Sequence, residues 1–436
     1  MGRVIGPAPT LEVTDVVLTG SGSTIDPTHV QVDGFGTGVE PVQIEGDVTI
    51  PGIPTLTDAF GRLRTSHPGT VFGSKQTIDA AALIWDDVAA SGAGTGTAWA
   101  SARSRISVSA STAGKRVRQT FRSFDYQPGK AQSVMMTFVM GSTATGITRR
   151  VGQFDANNGL FLEQTPTATN FVIRKAGVDT KVEKASWSEL PGGDGIDLTK
   201  AVILFIDYEW LGVGTVRWGF IIGGQYIVMH HSHHSNLVTG VYMDTPVLPL
   251  RGEIENDGTG GAATMDMICA MVASEGGVPN PGVRRCIDRA ATGLTTNNDA
   301  SLYPLISIRQ QSTKLRSVVR IANLSVLCNS TALFRWALLL NPTVVGAALA
   351  WTALTNSPVE HDVVATNATT VTGGTVLASG YLDAGNSGSV AIEATPNDIE
   401  LGSKYDGTAD RIVLAVQRLT GTTETFYASL SWHESQ

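Results

Sequence analysis

The chain combines long β-type runs with tight-turn signals and lacks segments with a helical period. The clearest case is the pair of apolar runs at 216–222 and 225–229, which a Gly-Gly dipeptide joins in a strong two-residue hairpin signal. Similar runs occupy 133–140 and 201–207, without a long stretch of 3.6-residue period between them. This pattern favours antiparallel sheets over parallel βαβ units. We therefore predict an all-β chain.

Composition agrees with short strands and many turns. Only 16% of the 436 residues are charged, well below the roughly 25% of an average soluble domain. The chain also contains 48 glycines and 18 prolines. At roughly 100–200 residues per domain, its length predicts two domains, or three if one is a small extension.

Charge and hydropathy exclude several function classes. The net charge is −8 and Lys and Arg form no clusters, which argues against nucleic-acid binding. No apolar stretch approaches the ~18 residues of a membrane span, and the N-terminus lacks the apolar core of a signal peptide. We therefore expect no membrane partner, and, if the protein reaches the outside, an exit by assembly and lysis and not by secretion.

The cysteines indicate neither disulfides nor a metal. Cys269, Cys286 and Cys328 are odd in number and lack metal-ligand spacing, so a disulfide framework and a structural zinc are not expected. We predict buried thiols in a protein assembled in a reducing cytoplasm. We also expect no cofactor.

Turn-rich segments divide the chain into four parts. Residues 1–57 hold short alternating runs broken by glycine and proline, which cannot bury a core alone, so we interpret them as an extended assembly arm. Residues 58–255 predict a first antiparallel β-sandwich and residues 301–436 a C-terminal one. The Gly- and Asn-rich segment 256–300 is interpreted as a connection, although its apolar stretch could close the first sandwich.

Two carboxylates in one strand are the leading candidates for chemistry. Strand alternation places Phe205, Asp207 and Glu209 on one face, where the default role is packing and hydrogen bonding within the sheet. Residues 205–212 also resemble the active-site strand of concanavalin-like β-glucanases and xyloglucan-modifying enzymes. That resemblance implies Glu209 as acid/base and Asp207 as its helper, but Phe205 occupies the nucleophile position. Since a retaining enzyme needs two carboxyl groups about 5–5.5 Å apart, we expect no enzymatic activity.

A carbohydrate-binding surface is the second interpretation of this strand. Aromatic side chains can stack on sugars, so such a surface would combine the two carboxylates with exposed tryptophans. The candidates are Trp85, Trp99, Trp187, Asp207 and Glu209.

The histidine run at 230–234 allows a metal site or a pH-sensitive surface. Alternation sends His231 and His233 to one face and His230 and His234 to the other. A His-x-His pair can ligate zinc, but a complete site needs further ligands and an oriented second shell. We therefore predict half-exposed, pH-sensitive histidines and no metal, with His231 and His233 as the alternative metal candidates.

Several motifs after residue 57 together resemble one protein family. They are the segments 58–64, 124–130, 148–155, 157–161, 210–214, 242–246, 248–251 and 340–343. Their order is similar to that in a family of virion-associated proteins of marine and bacterial tailed phages and some giant viruses. The resemblance implies a jelly-roll or concanavalin-like sandwich, a structural role, trimeric assembly and no catalytic residues.

These observations give one main expectation and two alternatives. We expect a virion structural protein on the particle surface, in a tail or neck fibre or as capsid decoration, acting as a homotrimer. Residues 1–57 would contact capsid, neck or tail proteins, and the aromatic and Arg-rich segment 121–126 has the composition of a subunit contact. The alternatives are a lectin-like fibre module that binds a host receptor or surface glycan, and a polysaccharide depolymerase that uses Glu209.

Overall fold

The computed structural model describes part of the chain. The described residues are 57–59, 62, 68–190, 195–276, 282–289, 292–298, 300–329, 332–382, 389–390 and 399–435. Except for Thr57, the predicted arm lies outside them. Within them the chain forms 28 strands and one 3₁₀ turn at Lys184–Ser186, and the strands pair antiparallel. The predicted all-β fold class is therefore confirmed.

Fifteen of the described strands build a first sandwich. They are β1 (Gly69–Lys75), β2 (Trp85–Gly92), β3 (Thr95–Ala100), β4 (Arg103–Val108), β5 (Gly114–Thr120), β6 (Gln132–Val139), β7 (Ile147–Phe154), β8 (Gly159–Gln164), β9 (Thr169–Lys175), β10 (Val178–Glu183), β11 (Val202–Tyr208), β12 (Val216–Ile222), β13 (Gln225–Ser232), β14 (Leu250–Asn256) and β15 (Ala263–Ser274). One sheet has the order β13-β12-β11-β6-β15-β4-β3, with β1 also paired to β15. The other has the order β10-β9-β8-β7-β14-β5-β2.

The predicted hairpin between β12 and β13 is present. Ile222 pairs with Gln225, and both intervening glycines have positive φ, 58° for Gly223 and 80° for Gly224. A type I′ turn requires positive φ at both central positions, which glycine adopts without steric cost. The turn thus fixes the register of the two strands that carry much of the candidate site.

The first core lies between the two sheets and is rich in aromatic rings. Phe171 stacks against Trp187 at 4.1 Å and against Trp218 at 5.0 Å between ring centroids. Strand alternation brings Leu204 and Ile206 of β11 into the same core. The opposite face of β11 is therefore the one that can carry polar groups.

The remaining described strands build a second sandwich. They are β16 (Val283–Asp288), β17 (Leu294–Thr296), β18 (Tyr303–Gln310), β19 (Val318–Cys328), β20 (Phe334–Leu340), β21 (Thr343–Gly346), β22 (Thr352–Ala353), β23 (Val359–Asp362), β24 (Thr369–Thr372), β25 (Thr375–Leu382), β26 (Ser389–Val390), β27 (Arg411–Arg418) and β28 (Glu424–Ser435). One sheet has the order β16-β28-β19-β26 with β17 on β28, the other β22-β23-β18-β27-β20-β25, and β21 pairs with β24. Trp336 and Trp432 are in the core between the larger sheets.

The segment 256–300 contributes strands to both sandwiches. Its apolar stretch forms β15, which pairs with β6, β4 and β1 inside the first sandwich. Its C-terminal part supplies β16 and β17, which both pair with β28 of the second sandwich. The glycine-rich composition therefore marks the turns around these strands.

Ion pairs connect the two sandwiches. Glu400 accepts hydrogen bonds from Arg122 at 2.7 Å and from Arg320 at 3.1 Å, and Arg316 binds Asp155 at 2.7 Å. Asp155 is buried, and the side chain of Glu400 is only 2% exposed. Buried charges need partners, so these pairs fix one sandwich against the other.

The segment 121–126, which has the composition of a subunit contact, takes part in this contact within the chain. The carbonyl of Phe121 accepts a hydrogen bond from the backbone N–H of Ser403 at 2.9 Å. Asp125 accepts another from Ser435 Oγ at 3.2 Å. Its enrichment in aromatic and arginine residues therefore serves at least this internal interface.

Two further observations concern the thiols and the membrane. Cys269 and Cys286 are exposed and only Cys328 is buried, so the prediction of three buried thiols is wrong for two of them. The cause for Cys286 is its position on β16, which lies at a sheet edge. Within the described part of the chain, none of the helical structure has the length and hydropathy to span a membrane.

Candidate functional site

The candidate site lies at the C-terminal end of β11. Phe205 packs against Tyr226 with ring centroids 5.4 Å apart, outside the core that holds Leu204 and Ile206. Asp207 follows two residues later, and Glu209 comes directly after the strand. The predicted nucleophile position is thus filled by a buried aromatic ring.

Asp207 forms a buried ion pair with Arg217. The two residues are register partners across β11 and β12, and Arg217 Nε donates a hydrogen bond to Asp207 Oδ2 at 3.0 Å. The same guanidinium donates from Nη2 to the carbonyl of Thr57 at 2.6 Å and from Nη1 to its hydroxyl at 3.3 Å. Arg217 therefore compensates a buried charge and also holds residue 57 against the sheet.

Glu209 is fully buried and lies against Asp58 and Arg62. Its Oε1 accepts a hydrogen bond from Arg62 Nη2, while Arg62 Nε donates to Asp58 Oδ2 at 2.5 Å. Carboxylate oxygens of Asp58, Glu209 and Glu275 all lie within 4.8 Å of one another. Burial first, and then the neighbouring Asp58, raise the pKa of Glu209 to about 7.

The loop after β11 gives Glu209 this position. The backbone N–H of Glu209 donates a hydrogen bond to the carbonyl of Thr215 at 3.3 Å, and the backbone N–H of Gly214 donates one to the carbonyl of Trp210 at 2.8 Å. A Cβ atom on Gly214 would lie 1.7 Å from the Glu209 carbonyl oxygen. Glycine is therefore required here for steric reasons.

These contacts determine what the carboxylates can do chemically. A carboxyl group with a pKa near 7 has the acidity of a general acid. However, its side chain is buried, and Arg62 and Asp58 lie directly against it. In this arrangement Glu209 binds Arg62 of its own chain, and Asp207 binds Arg217, which holds Thr57.

The predicted glycan-binding residues are not brought together. Trp85 is 2% and Trp187 1% exposed, so the expectation that they are exposed is wrong. Trp85 Nε1 donates to Ser74 and Trp187 stacks in the core. Trp99 is 40% exposed, but β3 is four strands from β11, about 19 Å at ~4.8 Å per strand. Trp99 and Asp207 therefore belong to different surfaces.

The histidine run follows the predicted alternation. The rings of His231 and His233 are parallel within 3°, with centroids 5.6 Å apart. His231 Nδ1 lies 2.9 Å from Glu189 Oε1, and His233 Nδ1 lies 3.1 Å from Thr215 Oγ1. Among the described residues no third metal-ligating side chain closes this pair into a cluster of the kind formed by Asp58, Glu209 and Glu275.

The sequence did not predict which residues contact the candidate site residues. They are Thr57, Asp58, Arg62, Glu189, Arg217 and Glu275. Two sequence signals could have found some of them. Arg217 is a charge inside an otherwise apolar strand, and Asp58 and Arg62 have the i,i+4 spacing of an ion pair.

The comparisons identify no family for the chain. No protein-family model and no curated protein sequence matches it. Among solved structures it is similar to the carbohydrate recognition domain of Emp47p, with 11% identity, TM-score 0.32, and coverage of 48% of this chain and 97% of that one. It is also similar to a legume lectin-like domain from Entamoeba histolytica, with 9% identity, TM-score 0.30, and coverage of 46% of this chain and 96% of that one. A third similar structure is a glycosyl hydrolase family protein from Mycobacterium fortuitum, with 10% identity, TM-score 0.32, and coverage of 47% of this chain and 99% of that one. Such similarity concerns the fold alone.

Proposed function

We propose that this chain is a non-catalytic structural protein on the surface of a tailed-phage particle, with an N-terminal assembly arm followed by two joined sandwiches. The observation that supports it most is the binding of Thr57 by Arg217 and of Arg62 by Glu209. Thr57 is the last residue of the predicted arm, and Arg62 lies five residues after it. A force applied to the arm would thus pass into β12 and the end of β11.

The connection between the sandwiches supports the same proposal. Three arginines of the interface bind the buried carboxylates of Glu400 and Asp155. Two of the motifs that resemble the virion-associated family, 124–130 and 148–155, supply Asp125 and Asp155 to this contact. A rigid two-sandwich body suits repeated contacts in a symmetric assembly.

Particle incorporation tests the proposed function. A chain lacking residues 1–57 should remain folded but be absent from purified particles, and the full chain should appear at one symmetric position in an averaged particle image. Light scattering of the full chain should give a trimer. Normal incorporation of the shortened chain would contradict the arm, and a clean monomer at micromolar concentration would contradict the trimer.

A second candidate is a lectin-like module that binds a host-surface glycan. One of the similar solved structures is a carbohydrate recognition domain, that of Emp47p. On this chain, the half-exposed Trp99 supports the candidate. Its Nε1 donates to the carbonyl of Gln76 at 2.7 Å, which holds the ring in one orientation for stacking on a sugar. Trp351, a partly exposed tryptophan of the second sandwich whose ring lies under Arg309, provides a matched control. Glycan-array binding by the full chain that is lost in Trp99→Ala, but kept in Trp351→Ala, would favour this candidate.

Hydrolysis is the outcome that would overturn the non-catalytic part of the proposal. A depolymerase that used Glu209 would release reducing sugar from a polysaccharide, and this release would disappear in Glu209→Gln. Release by the unmodified chain, together with its loss in that variant at unchanged folding, would show that residues 57–62 move away from the carboxylates.

A further inference from the structure

The rings of His231 and His233 lie parallel at the end of β13, with Glu189 beside His231. We propose that His231 and His233 bind one divalent transition-metal ion, such as Zn²⁺ or Ni²⁺, through their Nε2 atoms, with Glu189 orienting His231. This inference is independent of the proposed structural role.

A bulge in β13 brings Glu189 to the histidines. Trp218 pairs with His230 and Gly219 with Val228, so Met229 is an extra residue in its strand. Its carbonyl accepts hydrogen bonds from the backbone N–H groups of Glu189 and Leu190, at 3.1 and 3.2 Å. The segment that carries Glu189 is therefore fixed to the strand that carries His231.

The contact with Glu189 determines the tautomer of His231. An ionised carboxylate can only accept hydrogen bonds, so Nδ1 of His231 carries the proton. The lone pair of the neutral ring is then on Nε2, the atom that a metal would bind. A carboxylate on the far nitrogen is also the usual outer partner of a metal-ligating histidine, since it fixes the ring and raises its basicity.

His230 has the opposite arrangement. Its Nδ1 accepts a hydrogen bond from the backbone N–H of Ser188 at 3.1 Å, so the proton of the neutral ring is on Nε2. His230 therefore has no lone pair on Nε2 and provides a matched control within the same run.

His233 supplies the second nitrogen. Its Nδ1 can donate to the hydroxyl oxygen of Thr215, which leaves Nε2 free to bind a metal. The rings are parallel, with centroids 5.6 Å apart, whereas Zn–N bonds of about 2.0–2.1 Å in a tetrahedron need two Nε2 atoms that converge to ~3.4 Å. His233 is exposed and lies beyond the last residue of β13, so its ring can tilt toward that of His231.

The surrounding charge permits a cation. Arg217 is the register partner of His231, but its guanidinium is directed to Asp207 and Thr57. Glu189 contributes a negative charge within hydrogen-bond distance of His231. Two histidines leave the remaining positions of a tetrahedral ion to water or to a donor from another molecule.

Titration calorimetry with zinc chloride and the full chain tests this inference. We expect one Zn²⁺ per chain at pH 7.5, with binding at least tenfold weaker in His231→Ala and in His233→Ala and unchanged in His230→Ala. Glu189→Ala should weaken binding by about tenfold, and Glu189→Gln, which keeps an acceptor for Nδ1, by less. Circular dichroism verifies that each variant is folded.

Two results would overturn the inference. One is the absence of zinc binding by the full chain at millimolar metal. The other is zinc binding that persists when both histidines are replaced. A second readout uses Cu²⁺, whose paramagnetic resonance spectrum should show coupling to two imidazole nitrogens in the full chain and lose it in the double variant.

Discussion

Asp207 and His231 lie in one row across three neighbouring strands but have different surroundings. Arg217 on β12 is the register partner of both, with Asp207 on β11 and His231 on β13. Asp207 is buried against the guanidinium of Arg217, which also holds Thr57, whereas His231 and His233 remain accessible at the sheet edge. We call the end at Asp207 and Glu209 the closed end, because other residues of the chain cover it. The end at His231 and His233 is the open end, because it is accessible to solvent.

The difference shows that strand alternation decides which face a side chain occupies but not whether that face is covered. The covering groups come from far along the sequence, since Arg62 precedes Glu209 by 147 residues and Thr57 precedes Arg217 by 160. A carboxylate covered in this way can bind its own chain, while an uncovered imidazole can bind a ligand from solution.

Replacing Arg217 by Met should produce the largest effect, because it removes the shared partner from a buried carboxylate. We expect a loss in the free energy of unfolding on the order of 3 kcal/mol, since a buried charge that loses its counter-ion is strongly destabilising. Urea unfolding of the full chain measures it. The double variant Arg217→Met with Asp207→Leu should recover much of the loss, and an effect below about 1 kcal/mol in the single variant would contradict a closed end.

Much of the fold could be predicted from sequence because it depends on local signals. The Gly-Gly turn determines the β12–β13 hairpin, and apolar runs such as 201–207 become central strands. Composition was a weaker guide in the segment 256–300, where glycine-rich turns surround β15 and β16. Turn residues show where strands end but not which sheet the next strand joins.

The candidate site was predictable only in part. Strand alternation correctly assigned Asp207, His231 and His233 to faces of the sheet. The prediction that Trp85 and Trp187 are exposed was wrong, because both are buried. A tryptophan at a strand end or after a 3₁₀ turn looks the same in sequence whether it faces solvent or the other sheet. Its burial depends on how the two sheets stack, which is a long-range property.

The stability of the closed end should depend on pH through Glu209. Its pKa is raised from 4.5 to about 7 in the folded chain, so the unfolded chain loses this proton first as pH rises. The Glu209 contribution to the free energy of unfolding should therefore fall between pH 4.5 and 7 and stay constant above. Glu209→Gln should remove this part of the pH dependence in urea unfolding. An unchanged profile in that variant would contradict the assignment.

Arg62→Gln should have a smaller effect on stability, because the Arg62 side chain is 53% exposed and exposed ion pairs contribute about 1 kcal/mol or less. Its pH profile should nevertheless change. The guanidinium lowers the pKa of Glu209, so its removal should extend the falling part of the profile to higher pH, while its lower limit, set by the unfolded chain, stays in place. An unchanged upper limit would show that Arg62 does not act on Glu209.

The open end should show the smallest effect. His233 is exposed and contacts Thr215 and the ring of His231, so His233→Ala should change the free energy of unfolding by no more than about 0.5 kcal/mol. The same variant should lose zinc binding, whereas Arg217→Met should keep it when measured well below its unfolding midpoint. A loss above about 1 kcal/mol in His233→Ala would mean that the imidazoles, like the carboxylates, are bound by their own chain.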